Sequence, residues 1–210
     1  MDLFGTLKHR CEHVVPEEGY VPDLQGYMQE CFGLQFIRSI RDRGKTLDIV
    51  EVGTWKGTSA IEMATICRDS GIKARIICVD TWLGSPEHFM ELGNYGDLYT
   101  TFVKNVKSKG FGDVIVPLAL PSLQAIEVLK TYKVQPDILY IDAAHEYLPV
   151  KMDMEAYWEI LKQDGILLGD DYEENWPGVV QAVNEFVTER NLQQNYSRIH
   201  VTWSIKKTGP

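Results

Sequence analysis

The sequence predicts an α/β fold of the Rossmann-like, doubly wound kind, a mainly parallel sheet with helices on both faces. Three observations predict it. From residue 47 onward, short Val, Ile and Leu runs alternate with longer stretches of helical spacing, and runs this apolar belong to strands covered on both sides. The first of them ends in an acid and a glycine turn that opens a helix, Asp48 to Ala60 reading D-I-V-E-V-G-T-W-K-G-T-S-A. More acids, Asp80, Asp142 and the pair Asp170-Asp171, stand at the ends of later runs, where ligands of such sheets collect.

Taken in order, the segment through Pro22 reads as irregular or only partly helical, and Asp23 to Arg43 as a helix stopped by Gly44. Strands are expected near Leu47 to Val52, Arg75 to Val79, Asp113 to Pro117, Ile138 to Ile141 and Gly165 to Leu168. Helices are expected near Thr58 to Ser70, Asp97 to Lys109, Pro121 to Thr131, Leu148 to Leu161 and Pro177 to Arg190. Strand and helix in alternation imply parallel pairing through right-handed crossovers. Tyr196 to Lys206 has strand-like composition and reads as an edge hairpin. A helical extension over 1–46 and a ligand-binding unit over 47–210 then make one compact body, and 210 residues suffice to bury its core.

Charge narrows the partners. Lys and Arg total 21 against 30 Asp and Glu, a formal charge of −9, with no basic cluster longer than Lys206-Lys207. Nucleic acids and acidic membranes are thereby disfavoured, because binding them depends on neutralising phosphates. No signal-like segment opens the chain and no apolar run approaches a membrane span. The four scattered cysteines read as reduced, packed thiols of a cytoplasmic protein. His9, Cys11 and His13 alternate as metal ligands on a strand face would, without further Cys or His nearby.

The glycine turn carries the chemistry. A dinucleotide fingerprint needs a second glycine so that backbone can approach a pyrophosphate; here Trp55 fills that place in Gly53-Thr54-Trp55-Lys56-Gly57. Glu51, close to the strand's end, suits an ammonium and a sulfonium and repels a pyrophosphate. Asp80 follows about thirty residues later, where nucleotide folds place the carboxylate that holds the ribose hydroxyls. Together these favour S-adenosylmethionine over NAD.

Asp142 and Asp170-Asp171 end consecutive strands, so their side chains can converge. Two carboxylates about 4 Å apart repel by roughly 4 kcal/mol at an effective dielectric near 20. A cluster of three needs a cation, protons or hydrogen-bond donors; a divalent ion relieves the repulsion most directly, and all-oxygen ligation points to Mg²⁺, with Mn²⁺ or Ca²⁺ as competitors. Strand neighbours point to opposite faces, so Asp170 and Asp171 reach one ion only if the chain bends after Gly169.

The ordered set E-V-G-T-W-K-G-T-S, V-D-T-W, Y-I-D-A-A-H-E-Y and D-G-I-L-L-G-D-D-Y resembles the class I S-adenosylmethionine-dependent methyltransferases. Among these the resemblance is closest to small-molecule O-methyltransferases of the macrocin O-methyltransferase and cephalosporin-hydroxylase-associated kind, and it covers roughly Asp48 to Arg190. It implies a seven-stranded sheet with an antiparallel last strand. It implies a cofactor set of Glu51, Gly53, Thr54, Trp55, Thr58, Ser59, Asp80, Thr81, Trp82, Ser122 and Asp142, and a metal set of Asp142, Asp170 and Asp171.

For methyl transfer the protein must align and deprotonate an acceptor. His145, three residues past Asp142, is the candidate general base, with Asp142 beside it and His88 as second candidate. The aromatic and glycine-rich stretch from Trp82 to Gly96 suits a flap over the site, and Tyr147, Tyr172 and Trp176 suit an acceptor pocket. Lys56 reads as a solvated lysine at a helix start, or as a partner of Glu51 or of an acidic acceptor. The acceptor is expected to be a small hydroxylated molecule such as a sugar, a phenol or a polyketide. A non-catalytic S-adenosylmethionine-binding protein and an NAD-linked oxidoreductase are the alternatives. The apolar residues of the Asp23 to Arg43 helix suit its own sheet or a second copy, which leaves a homo-oligomer open.

Overall fold

In the computed structural model, which describes residues 2–24, 36, 46–85 and 96–208, side-chain alternation sorts the first strand. In β1 (Leu47–Val52), Leu47 and Ile49 enter one hydrophobic cluster while Val50 and Val52 enter another, as a period of two requires. β2 (Ala74–Asp80) repeats the pattern, with Ile76 and Cys78 against Ile77 and Val79. β3 (Ile115–Ala119), β4 (Ile138–Ile141) and β5 (Ile166–Gly169) join in parallel. A hairpin of β6 (Tyr196–Ile199) and β7 (Thr202–Lys206) closes the sheet, with β7 antiparallel to β5. The order is β3-β2-β1-β4-β5-β7-β6. The direction of winding reverses between β1 and β4, and their carboxyl ends diverge into a crevice.

Helices cover both faces. α1 (Leu3–Arg10), α4 (Ser122–Thr131), α5 (Tyr147–Ile160) and α6 (Pro177–Glu189) share the cluster of Val50 and Val52. α2 (Thr58–Asp69) and α3 (Leu98–Ser108) share that of Ile49, together with Cys11, Val14 and Phe36. No helix among the described residues is long and apolar enough to cross a membrane.

The N-terminal segment is more ordered than its sequence suggests. Asp2 caps α1 by accepting from Gly5 N at 2.8 Å, and Leu3 and Leu7, one turn apart, are buried. Beyond the helix, Lys107 Nζ donates to the carbonyls of Cys11 and Glu12 at 2.7 and 3.1 Å. These contacts dispose of the strand-face reading of His9, Cys11 and His13: Cys11 is buried at a helix end with Sγ on Lys8 O, and His9 is exposed beside Glu12. The strand expected from Asp113 starts at Ile115, because Val114 N and Ile115 N both close a turn onto Phe111 O. Most of the expected Asp23 to Arg43 helix, and 86–95 of the expected flap with His88, lie outside the described residues.

The tightest packing is at the crevice. Gly53 N donates to Val79 O and Asp142 N to Val52 O, both at 2.9 Å. A Cβ on Gly53 would sit 1.9 Å from the Asp142 carbonyl oxygen, and its φ is +87°. Steric overlap and left-handed backbone both exclude a side chain. Gly53→Ala is therefore expected to cost about 3 kcal/mol or more, read as a lower urea midpoint at unchanged m-value. A loss under about 1 kcal/mol would mean that β1 and β4 stand further apart.

Candidate active site

The ends of β1, β2, β3 and β4 open onto a cavity of about 410 Å³. Of the residues expected to hold the cofactor, Gly53, Trp55, Asp80, Thr81, Ser122 and Asp142 line it, with His145. Val52, Val79, Leu120, Pro121 and Pro149 supply apolar wall. Glu51, Thr54, Thr58, Ser59, Trp82, Asp170 and Asp171 are outside the lining.

Asp80 ties the two turns at the crevice together. Its Oδ2 accepts from Trp55 N at 2.7 Å and its Oδ1 from Trp82 N at 2.8 Å. Trp82 Nε1 then donates to Trp55 O at 2.7 Å, which joins the turns a third time. Trp55 and Trp82 both have positive φ, 49° and 52°. Such backbone costs on the order of 1–3 kcal/mol per residue and persists where its surroundings over-determine it. Each Asp80 oxygen keeps a second lone pair for a donor in the cavity, such as a ribose hydroxyl.

Alternation puts Glu51 on the far side of the sheet from Val52. Its register partner is Cys78, and the carboxyl is fully buried, accepting from Thr54 Oγ1 at 2.9 Å, from Cys78 Sγ at 3.5 Å and from Ser59 Oγ. Burial pushes it up to about 7 against the pull of those hydrogen bonds. Glu51 thus anchors the start of α2 beneath the glycine turn. Lys56 is neither solvated nor paired with Glu51: it is buried, and its Nζ meets Asp23 Oδ2 at 2.6 Å. Asn105, also fully buried, accepts from Tyr20 OH and Asp23 N and donates to Asp23 O and Lys56 O, which fixes residues 20–23 to the same turn.

At the other side of the crevice three side chains converge. One ligand atom from each of Asp142, His145 and Asp171 lies within 4.8 Å of the others, and His145 Nε2 is 3.0 Å from Asp171 Oδ2. The bend needed after Gly169 is present, since Asp171 has φ +62°. Asp170 points elsewhere, its Oδ1 accepting from Thr202 Oγ1 at 3.2 Å and its carbonyl from Trp203 Nε1 at 3.1 Å. Burial first, then the charges of Asp171 and Asp170, hold Asp142 well above the usual carboxylate range, while Tyr140 OH donates to it at 3.1 Å. The two carboxylates fit a hard divalent ion, and the imidazole beside them, which belongs to no all-oxygen set, is left for another role.

His145 is placed from α6. Its ring stacks on Trp176 at 3.9 Å, and a Cβ on Gly178 would meet Tyr147 N at 2.4 Å and His145 O at 2.5 Å. The first turn of α6 therefore rests directly on the backbone that carries the imidazole. Tyr147 and Tyr172, expected to line an acceptor pocket, instead donate to Glu185 and Asn184 of α6. Tyr157 OH donates to Ser122 O at 2.9 Å and Trp158 packs on Phe186. Sequence reasoning missed Asp153, which is 4% exposed and lines the cavity. Its signal was available: with Val150, Met154 and Tyr157 it falls on the buried side of α5, an acid where the helical period calls for an apolar residue.

The profile of a family described as a methyltransferase domain matches residues 50–172, more than half of the chain. The chain belongs to this methyltransferase-domain family. The match runs from within β1 to just past Asp171 and so contains the carboxyl ends of β1 to β5. Uncharacterized protein R132 of Acanthamoeba polyphaga mimivirus is 28% identical over 149 residues, 68% of this chain and 60% of that protein. The chain thus covers under two thirds of that relative's length. Solved methyltransferases share the fold. An O-methyltransferase from Bacillus cereus in complex with SAH superposes with a TM-score of 0.61 at 14% identity, over 98% of this chain and all of that one. CalS11, a calicheamicin methyltransferase, gives 0.59 at 17% over 83% and 76%. MycE of the mycinamycin pathway, with Mg, SAH and mycinamycin VI, gives 0.54 at 14% over 83% and 49%.

The buried Glu51 gives this methyltransferase-domain chain a pH signature. Its folded value near 7 lies above the ordinary 4.5, so the folded chain keeps a proton that the unfolded chain releases. That contribution is complete below about pH 4.5 and disappears as pH rises through 7. Glu51→Gln should remove a loss on the order of 3 kcal/mol between pH 5 and 8, seen by comparing urea midpoints of both proteins at the two pH values. Equal pH dependence in wild type and variant would assign the titration to another group.

Proposed function

We propose that the chain transfers a methyl group from S-adenosylmethionine to a hydroxyl of a small molecule, a sugar, a phenol or a polyketide-type compound, with a divalent ion of the Mg²⁺, Mn²⁺ or Ca²⁺ kind. One observation carries the reading: a single cavity brings Asp80 and the Gly53 turn beside Asp142 and His145, with Asp171 3.0 Å behind the imidazole. Membership of the methyltransferase-domain family supports it. So do the neighbours of the same fold, among them CalS11 as a TDP-rhamnose 3'-O-methyltransferase and MycE with Mg and SAH. The buried free thiols Cys11, Cys67 and Cys78 suit a reducing, cytoplasmic setting.

When bound, S-adenosylmethionine supplies an electrophilic methyl carbon, and the ion favours the ionised form of the acceptor hydroxyl. Asp80 holds the ribose, and the Gly53 to Trp55 turn holds the neighbouring part of the cofactor. Asp142 and Asp171 hold the ion; their mutual repulsion, together with that of Asp170, is what a cation relieves. The His145 imidazole takes the acceptor's proton, and the Asp171 carboxylate beside Nε2 stabilises the imidazolium that results. Trp176 and Gly178 keep the ring in that orientation. Apolar wall from Val52 to Pro149 excludes water from the reacting atoms. An NAD-linked reading is disfavoured because Trp55, with its amide on Asp80, occupies the place where backbone would approach a pyrophosphate.

Calorimetric titration tests the first half, with binding expected below millimolar S-adenosylmethionine; no heat at millimolar ligand removes the proposal. For the second half, His145→Ala is expected to lower kcat by about 10²- to 10⁴-fold with cofactor affinity within about threefold of wild type. Asp171→Ala is expected to weaken Mg²⁺ binding at least tenfold as well. Normal Mg²⁺ affinity with the same loss of kcat would make His145 and Asp171 a metal-free base pair.

A further inference from the structure

We propose that Asp153, with Ser122 beside it, reads the amino edge of the cofactor's adenine, so that the cavity selects a 6-amino purine over a 6-oxo one. The inference deepens the S-adenosylmethionine reading and rests on it.

Asp153 is a carboxyl 4% exposed on the wall of the cavity. The Ser122 side chain hydrogen-bonds it, and among the described residues no cation is recorded beside it. Burial pushes it up to about 6, which leaves it largely ionised at neutral pH. A buried carboxylate without a counter-charge costs several kcal/mol, and α5 would lose nothing in helix propensity by carrying an apolar residue there. A donor from within the cavity offsets that cost.

Strand order says which part of the cofactor reaches it. Across the sheet the ends run β4, β1, β2, β3, so the lining passes from Asp142 through Gly53 and Asp80 to Leu120, Pro121 and Ser122. With the acceptor at Asp142 and the ribose at Asp80, the base falls at the β3 end. Val79, Leu120 and Pro121 offer that end apolar surface for a flat ring, and Asp153, hydrogen-bonded by Ser122, brings a carboxyl to it. An exocyclic amine donates to a carboxylate; a 6-oxo group sets one acceptor against another. Sites built to bind a donor reject analogues lacking it far more strongly than a missing methylene is rejected.

The experiment compares S-adenosylhomocysteine with S-inosylhomocysteine by calorimetry on the full chain, in wild type, Asp153→Ala and Asp153→Asn, with thermal melting of each protein without ligand. Wild type is expected to prefer the adenosyl ligand by at least about thirtyfold. Asp153→Ala is expected to weaken the adenosyl ligand at least tenfold and, with the clash of acceptors gone, to bind the inosyl ligand no worse than wild type does, which collapses the ratio. Asp153→Asn offers both an acceptor and a donor, and should bring the ratio towards one. A carboxylate that merely braces the start of α4 would, on removal, lower melting temperature and both affinities together; a ratio held at its wild-type value in either variant overturns the inference. Should Asp153→Ala fail to fold, the ratio in Asp153→Asn decides alone. Failure of wild type to bind S-adenosylhomocysteine is a different result, which overturns the parent reading rather than the role of Asp153.

Discussion

Everything in the site depends on how closely the backbone after β1 approaches the end of β4. Two hydrogen bonds, Gly53 N to Val79 O and Asp142 N to Val52 O, knit three strand ends together where the winding reverses. A glycine with positive φ permits the contact. Because Asp142 is pinned by its own amide, its side chain projects from the rim of the crevice whatever the following loop does. Because the Gly53 turn is pinned on the other side, Trp55 is delivered to Asp80. The cavity is therefore the divergence of strands held together at their bases, and ligand groups on β1, β2 and β4 inherit the rigidity of the sheet.

That rigidity is balanced by electrostatic cost. Glu51 and Asp153 are buried, and Asp142, Asp170 and Asp171 crowd one edge. The first is satisfied internally by Thr54, Ser59 and Cys78, and it titrates upward because a buried charge is expensive even when hydrogen-bonded. Asp142 and Asp153 face the cavity, Asp171 stands behind His145, and Asp170 accepts from Thr202. In physical terms the buried acids near the crevice divide into one that builds the turn, Glu51, and two on the cavity side, Asp142 and Asp153. Alternation makes the division, since Glu51 and Val52 look to opposite faces of one strand.

The sequence revealed the sheet well and the site in part. Runs of Val, Ile and Leu between helical stretches placed every strand within about two residues, because burial on both faces leaves little ambiguity in period. The segment that holds α1 reads only as irregular or partly helical, without bounds for the helix, because α1 is short and only Leu3 and Leu7 of it are buried. At the site, residue type and strand end were legible for Asp80 and Asp142, while side-chain direction was not. Parity sends Glu51 away from the cavity, and the left-handed turn at Asp171 separates it from Asp170. Both outcomes follow from rules visible in the sequence, but only once the strand ends are fixed to the residue. Asp153 shows the converse, an acid in a helix core whose meaning required knowing that the core there borders a cavity.

The helix after β5 also matters to the side chains that gather at the end of β4. His145 sits in a turn with no strand to hold it, and a free imidazole would lose both tautomer and aim. Trp176 stacks on one face of the ring, Asp171 takes Nε2, and Gly178 lets α6 press against the backbone beneath. Three residues from two later segments thus supply the order that the sheet gives Asp142 directly. Behind them, α5 and α6 are fastened by Lys151 to Glu185 and Glu189 and by Arg190 to Glu155, with a packed core of Val150, Met154, Val183 and Phe186. The exposed ion pairs add little energy; the apolar seam is what holds α6 against the turn. An imidazole positioned in this way is as rigid as the packing of two helices, and in the proposed mechanism that rigidity is what would keep it aimed at the acceptor.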